Sequence, residues 1–319
     1  KMKEEKKNLR ERKKDFLKKL KGNSNKYKRY FGSPLRYGGG KTLAVGYILE
    51  HLPDDIDKVV SPFMGGGSVE IAIAKELGID VIAYDIFDLL ANYWKHQINN
   101  PHEMYEKLSR IGHTKDDYEN IKNILKQHWN KYDGYDYKLD SLDAAVYYFY
   151  NMQLSFGPGF LGWMSSNYLK DNVYESTIKK VRDFDCKNIK VFTGRFEDSM
   201  PKHINDFMYL DPPYYCGGDS HMFKGIYPMR NFPIHHDNFN HELLCEYLHK
   251  HRGGFILSYN DCSWVRNAYK DFKIIEVKWQ YTMGQGETRI GKNRLERDYD
   301  NTNVKSSHEL IIIGEKYEN

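Results

Sequence analysis

The sequence predicts a doubly wound α/β domain: a mostly parallel seven-stranded sheet with one antiparallel edge hairpin, interrupted by a helical insertion. Three observations predict it. Short apolar runs alternate with helical patterns over residues 58–94. Helical periodicity then takes over from about 95 to 187. Strand patterns resume at 190–193, 207–210, 254–259, 272–279 and 309–313. At 319 residues the chain is long enough for one sizeable core and an inserted or appended subdomain.

The elements follow in order. Residues 1–30 hold fourteen lysines and arginines against four acids, so a formal charge of +4 for the whole chain leaves −6 on the remainder. A basic arm on a mildly acidic body suits a polyanionic partner, and a solvated charged helix has the same composition. Its segment 3–20 carries few large apolar residues (Leu9, Phe16, Leu17 and Leu20), which predicts a surface helix at best or a segment disordered without its partner. A turn-rich stretch, 32–41, leads into an apolar-periodic helix over about 42–52. Residues 58–63 read as a buried strand, 65–67 as a tight turn and 68–77 as a helix ended by Gly78. A second strand, 81–85, and a helix through Ala91 and Trp94 close the first half of the catalytic domain, expected over 31–94 and 188–319. The insertion, 95–187, shows helices at 101–111, 116–129 and 142–154 and a Gly/Pro-broken piece at 155–163. The last two strands are joined by a long polar loop with no crossover helix, which predicts antiparallel pairing at one edge. Cys186, Cys216, Cys245 and Cys262 show no metal spacing and read as reduced thiols. With no apolar run of membrane length and no signal segment, the expectation is a cytoplasmic chain with neither membrane nor metal partner.

Three segments carry chemistry. Asp211-Pro212-Pro213-Tyr214 directly follows the strand 207–210, and open α/β sheets bind ligands beyond the carboxyl ends of their strands. The two prolines hold the backbone extended and stiff. Asp211 and the Pro212 carbonyl can accept the hydrogens of an exocyclic amine and turn its lone pair out of the ring plane. Tyr214 offers a face on which a flipped base can stack. An ordinary proline-rich turn has the same four residues.

The second segment runs from Ser61 through Phe63, Gly65, Gly66 and Gly67 to Glu70. Its glycines let a cofactor approach the backbone. A dinucleotide fingerprint starting at Gly65 needs glycine where Glu70 stands, so the cofactor lacks a pyrophosphate; S-adenosylmethionine fits and NAD fits poorly. Asp85, at the next strand end, can accept from two ribose hydroxyls or cap a helix. The third segment, Tyr37-Gly38-Gly39-Gly40-Lys41, lacks the phosphate-loop spacing. Lys41 there can meet the carboxylate of a methionine moiety, or belong to a structural loop.

In this order, and with the closing Ser307-His308-Glu309-Leu310-Ile311-Ile312, the segments resemble the DNA adenine methylase family, the α-arranged amino-methyltransferases, over about residues 33–315. The resemblance implies a Rossmann-like methyltransferase sheet, with residues 95–187 as the DNA target-recognition insertion. It implies transfer of methyl from S-adenosylmethionine to the N6 amine of adenine in double-stranded DNA. It assigns Tyr37, Lys41, Phe63, Gly65, Gly67, Asp85, Phe196 and Asp211 to the cofactor, and Asp211, Pro212 and Tyr214 to the catalytic loop. The stretch 144–163, with Asn151 and Gln153, resembles a degenerate form of the family's recognition segment. One departure is Arg195 before Phe196, where many relatives carry an acid.

The expected mechanism is base flipping followed by direct in-line displacement, without a covalent enzyme intermediate. The loops 217–233 and 280–305 carry Lys224, Arg230, Arg289, Lys292, Arg294 and Arg297, which are expected to meet DNA phosphates or lie beside the flipped base. A restriction endonuclease acting separately is the further expected partner. The competing readings are an N-methyltransferase for RNA or a protein amide, N4-cytosine methylation, and a non-catalytic cofactor- or DNA-binding protein.

Overall fold

Valine- and isoleucine-rich runs build the sheet, because β-branched side chains buried on both faces fit a mostly parallel arrangement. The computed structural model describes residues 7–129, 139–157, 159–215, 239–277 and 309–318. Its strands are β1 (Lys58–Ser61), β2 (Asp80–Asp85), β3 (Ile189–Thr193), β4 (Met208–Leu210), β5 (Phe255–Asn260), β6 (Lys273–Glu276) and β7 (Glu309–Gly314). They lie in the order β3-β2-β1-β4-β5-β7-β6, parallel through β5. Strand β7 enters between β5 and β6 and runs antiparallel to both. The expected Rossmann-like sheet with its antiparallel edge is therefore present. The strand order reverses between β1 and β4, and that switch point opens a crevice beyond their carboxyl ends.

The N-terminal helix α1 (Leu9–Lys21) departs from the expected surface or disordered segment. Asn8 and Glu11 form a reciprocal capping box that fixes its start, worth about 1 kcal/mol. Leu9, Phe16 and Leu20 fall on one face and are buried in the main core, with Phe16 edge-on to Tyr30 at 5.6 Å between ring centres. Arg12 Nε donates to the Leu77 carbonyl at 2.7 Å and Lys13 Nζ to that of Leu52 at 2.6 Å. Two of the basic residues that suggested a free arm thus tie the helix to the body. The next helix, α2 (Val45–Leu49), is shorter than its periodicity predicts.

After β1 the chain turns through the glycines into α3 (Ser68–Ile71), which widens into a π-helical turn, Ala72–Glu76, instead of remaining α-helical to residue 77. Helix α4 (Asp88–Asn99) follows β2 and runs on past residue 94. The insertion adds α5 (Pro101–Arg110), α6 (Lys115–Trp129), α7 (Ser141–Leu154) and α8 (Asp171–Asp183), the last not among the three helices read from periodicity. Tyr93 of α4 stacks on Phe149 of α7 at 5.7 Å, so the insertion and the sheet share one continuous aromatic core. Helix α9 (Phe196–Lys202) precedes β4, α10 (His241–Lys250) precedes β5 and α11 (Ser263–Ala268) follows it. No helix among the described residues is long and apolar enough to cross a membrane.

Candidate active site

At the carboxyl end of β1, Met64 N–H donates to the Tyr84 carbonyl at 2.8 Å, which turns the chain into the glycine loop. Gly67 has φ 72°, in the left-handed region, and a Cβ there would stand 2.8 Å from Met64 Cε. A Cβ on Gly66 would come within 2.8 Å of the Tyr37 side chain. The loop is thus a backbone surface on which Tyr37 lies, beside Gly65 and Gly66. Trp94 Nε1 pins the loop from beneath, donating to the Gly65 carbonyl at 2.9 Å.

Asp85, ending β2, does not cap α4. Its Oδ2 accepts from the Gly65 N–H at 3.0 Å and its Oδ1 from the Phe87 N–H at 2.9 Å, and each oxygen keeps a further lone pair. Burial raises its pKa, and the two N–H groups oppose that rise. Phe63 and Phe196 meet at 5.9 Å, and both pack on Phe239, forming an aromatic wall that joins the ends of β1 and β3. Arg195 points away into an ion pair with Glu197 at 3.2 Å.

Glu70, on α3 behind the glycines, is buried and accepts from Ser61 Oγ at 3.0 Å. Burial pushes its carboxyl up to about 8, and the nearby Asp211 and Asp85 add to the rise. Three carboxylates therefore converge around the glycine loop. Asp85, favoured in its charged form by two N–H bonds, and Asp211, favoured by Lys41, disfavour a pyrophosphate here and suit a cation without phosphates.

The fourth strand end carries Asp211. Lys41 Nζ approaches its Oδ1 at 3.2 Å, donates to Glu309 Oε1 at 2.8 Å and to the Tyr214 hydroxyl at 3.0 Å. Lys41 and Glu309 side chains are 4% exposed, whereas that of Asp211 is 23% exposed and open to the crevice. Burial raises the pKa of Asp211 and of Glu309; the ammonium pulls both back down. Lys41, expected to meet a cofactor carboxylate, has Glu309, Tyr214 and Asp211 around its ammonium. Removing one partner from a buried ionic group of this kind costs about 3–5 kcal/mol.

Beyond Tyr214, Asn260 at the end of β5 clamps the loop: its Oδ1 accepts from the Tyr215 N–H at 2.8 Å and its Nδ2 donates to the Tyr215 carbonyl at 3.0 Å. The Tyr215 ring lies flat on Trp264 of α11, 4.3 Å away. Asn260, Glu309 and Glu70 are site residues that pattern reading did not assign. Arg36 is a fourth: its guanidinium donates to the Gln153 and Ser155 carbonyls at 2.7 and 3.1 Å and stacks 3.8 Å over the Tyr168 ring, tying the cofactor side to the insertion. Polar residues at strand ends were the available signal for Asn260 and Glu309. Lys224, Arg230, Arg289, Lys292, Arg294 and Arg297 lie outside the described residues.

Several known proteins resemble the chain. The Type II methyltransferase M1.LlaDCHI of Lactococcus lactis subsp. cremoris is 24% identical over 81% of this chain and 91% of its own length. The modification methylase StsI of Streptococcus sanguinis is 24% identical over 90% of this chain, and the match spans 43% of that protein. The Type II methyltransferase M.FokI of Planomicrobium okeanokoites is 26% identical over 62% of this chain and 31% of its own length. The model of D12 class N6 adenine-specific DNA methyltransferases matches residues 37–283, which take in the glycine loop, the insertion and the Asp-Pro-Pro-Tyr corner. The chain belongs to the D12 class of N6 adenine-specific DNA methyltransferases.

Proposed function

We propose that this site-specific adenine methyltransferase uses S-adenosylmethionine as its methyl donor, with Asp211, Pro212 and Tyr214 as its catalytic loop. The observation that carries the reading is the meeting, at the switch point of the sheet, of a bare glycine loop and an open carboxylate, Asp211, within one ring of buried acids. S-adenosylmethionine supplies an electrophilic methyl group and, as a phosphate-free cation, suits that anionic floor. Asp85 would take its ribose hydroxyls on the lone pairs that Gly65 and Phe87 leave open. Phe63 and Phe196 would line its adenine pocket, and Gly65, Gly67 and Tyr37 would bound its methionine side.

The protein's own work on the flipped base is orientation and charge. Asp211 and the Pro212 carbonyl accept the two amine hydrogens, which directs the nitrogen lone pair out of the ring plane, while Tyr214 stacks on the base. As the N–C bond forms, positive charge grows on N6 beside the Asp211 carboxylate, and that attraction is stronger in the transition state than before it. The insertion, 95–187, would read the duplex, and the basic stretches 217–233 and 280–305 would follow its phosphates. A restriction endonuclease recognising the same site, acting separately, would be the protein's further partner.

The test is transfer of tritiated methyl from S-adenosylmethionine to duplex DNA by the full chain, with digestion of the product to nucleosides. Label in N6-methyladenine is the expected result, with Asp211→Ala nearly inactive yet folded. Label in cytosine, or substantial activity in the variant, would reject the reading.

A further inference from the structure

Lys41, Asp211 and Glu309 come from three distant parts of the chain, and Lys41 and Glu309 are 268 residues apart. Lysine is a compact charge on a flexible stem, so an ammonium paired with one carboxylate does not hold one direction. Here the ammonium donates to Glu309 at 2.8 Å and to the Tyr214 hydroxyl at 3.0 Å, and pairs with Asp211 at 3.2 Å. Glu309 makes the shortest of these contacts and is buried with it. Its charge therefore offsets that of the ammonium, and Asp211 faces the crevice as a carboxylate whose negative charge is not cancelled. An ammonium shared with Asp211 alone would neutralise the acceptor on which the target amine depends.

We infer that Glu309 is a positioning residue for methyl transfer: from β7 it anchors and neutralises the Lys41 ammonium, which then aims Asp211 and leaves its remaining lone pairs, and its charge, for the amine. The inference rests on the reading of Asp211 as amine acceptor. Other ionisable groups face the cluster as well: Glu70 of α3, Asp85 of β2, Tyr209 of β4 and the Tyr214 hydroxyl.

The test measures kcat and KM against pH for the full chain with S-adenosylmethionine and duplex DNA. Glu309→Ala should lower kcat roughly 10- to 100-fold, by analogy with outer-shell partners of metal ligands. Both KM values should stay within about threefold, because the lost interaction orients the reacting group and does not bind substrate. Glu309→Gln keeps an acceptor for the ammonium and should recover part of that loss. It removes an anion beside Asp211, so the acid limb of kcat should move to lower pH. Lys41→Met removes the cation and should move the same limb to higher pH; the charge-neutral pair Lys41→Met with Glu309→Gln supplies this comparison if the single variant does not fold, as melting curves will tell. A merely structural role for Glu309 does not produce opposite displacements. Wild-type kcat and an unmoved limb in both Glu309 variants, with Asp211→Asn inactive, overturn the role of Glu309 and leave that of Asp211 standing. An active Asp211→Asn overturns the amine-acceptor reading itself.

Discussion

At the catalytic rim the chain buries Lys41, Glu70 and Glu309, whereas the helical insertion buries Gln97, Asn151, Gln153 and Ser155. The two regions solve opposite problems. In the insertion every one of these neutral groups has a partner: Asn151 Oδ1 accepts from the Leu161 N–H at 2.8 Å, and Gln97 Nε2 donates to the Val181 carbonyl at 2.9 Å. Such bonds fix shape at little electrostatic cost. At the rim the acids outnumber the cation, and burial raises the pKa of each. The insertion is built for rigidity; the rim holds charge in readiness for a cationic cofactor and a developing positive nitrogen.

Four changes break or sharpen this contrast. The largest effect is expected from Asp211→Ala, which should lower kcat by about 10³-fold or more, the upper part of the range for a positioned acid–base group, while Lys41 and Glu309 remain as a neutral buried pair that keeps the fold. Single-turnover methylation checks it.

Glu70→Gln probes the buried carboxyl behind the glycine loop. The folded carboxyl titrates near about 8 against its ordinary 4.5. A raised carboxyl contributes stability that is fully present below pH 4.5 and is lost as pH rises toward 8, on the order of several kcal/mol at about 1.4 kcal/mol per unit. The glutamine still accepts from Ser61, so the variant should melt a few degrees above wild type at pH 8. That advantage should disappear near pH 4.5. Donor affinity at pH 7 should change little, since the carboxyl replaced is neutral there, and equal melting at both pH values would show that its pKa is not raised.

Arg36→Ala cuts the seam between the regions and leaves two backbone carbonyls without their donor, at about 2–4 kcal/mol. Arg36→Lys should not restore the loss, because a lysine cannot reproduce a planar fork stacked on Tyr168. Denaturant melts compare the three proteins. The smallest change is Trp163→Ala or Phe156→Ala, at side chains 85% and 74% exposed on the turn that follows α7, in the stretch proposed to read DNA. Each should weaken duplex binding by about 5- to 10-fold, as loss of one base-stacking contact does, with no shift in melting temperature. Unchanged affinity in a filter-binding titration would remove that turn from the DNA interface.

The strands were legible because each is a short apolar run closed by a turn, and all seven lie within a few residues of their predicted positions. The cofactor loop and the Asp-Pro-Pro-Tyr corner were legible because glycine and proline restrict the backbone locally. Glu309 and Asn260 were not, since a polar residue at a strand end looks like a solvated terminus until the fold sets Lys41 against the one and the Tyr215 backbone against the other. Glu70 was read only as an obstacle to phosphate; its burial depends on α3 packing behind β1. The docking of α1 was missed because composition hides geometry: three apolar residues among many lysines suffice when they share one face.

The pairing of Lys41 with Glu309 also has a consequence for biosynthesis. Translation reaches β7 only after the glycine loop, the insertion and Asp211 have been made, and only then can β7 take its place between β5 and β6. A nascent chain can assemble its donor crevice early, yet its reacting carboxylate stays unbraced until that final insertion. Fragments released before β7 is made would accordingly be expected to bind donor without marking the genome.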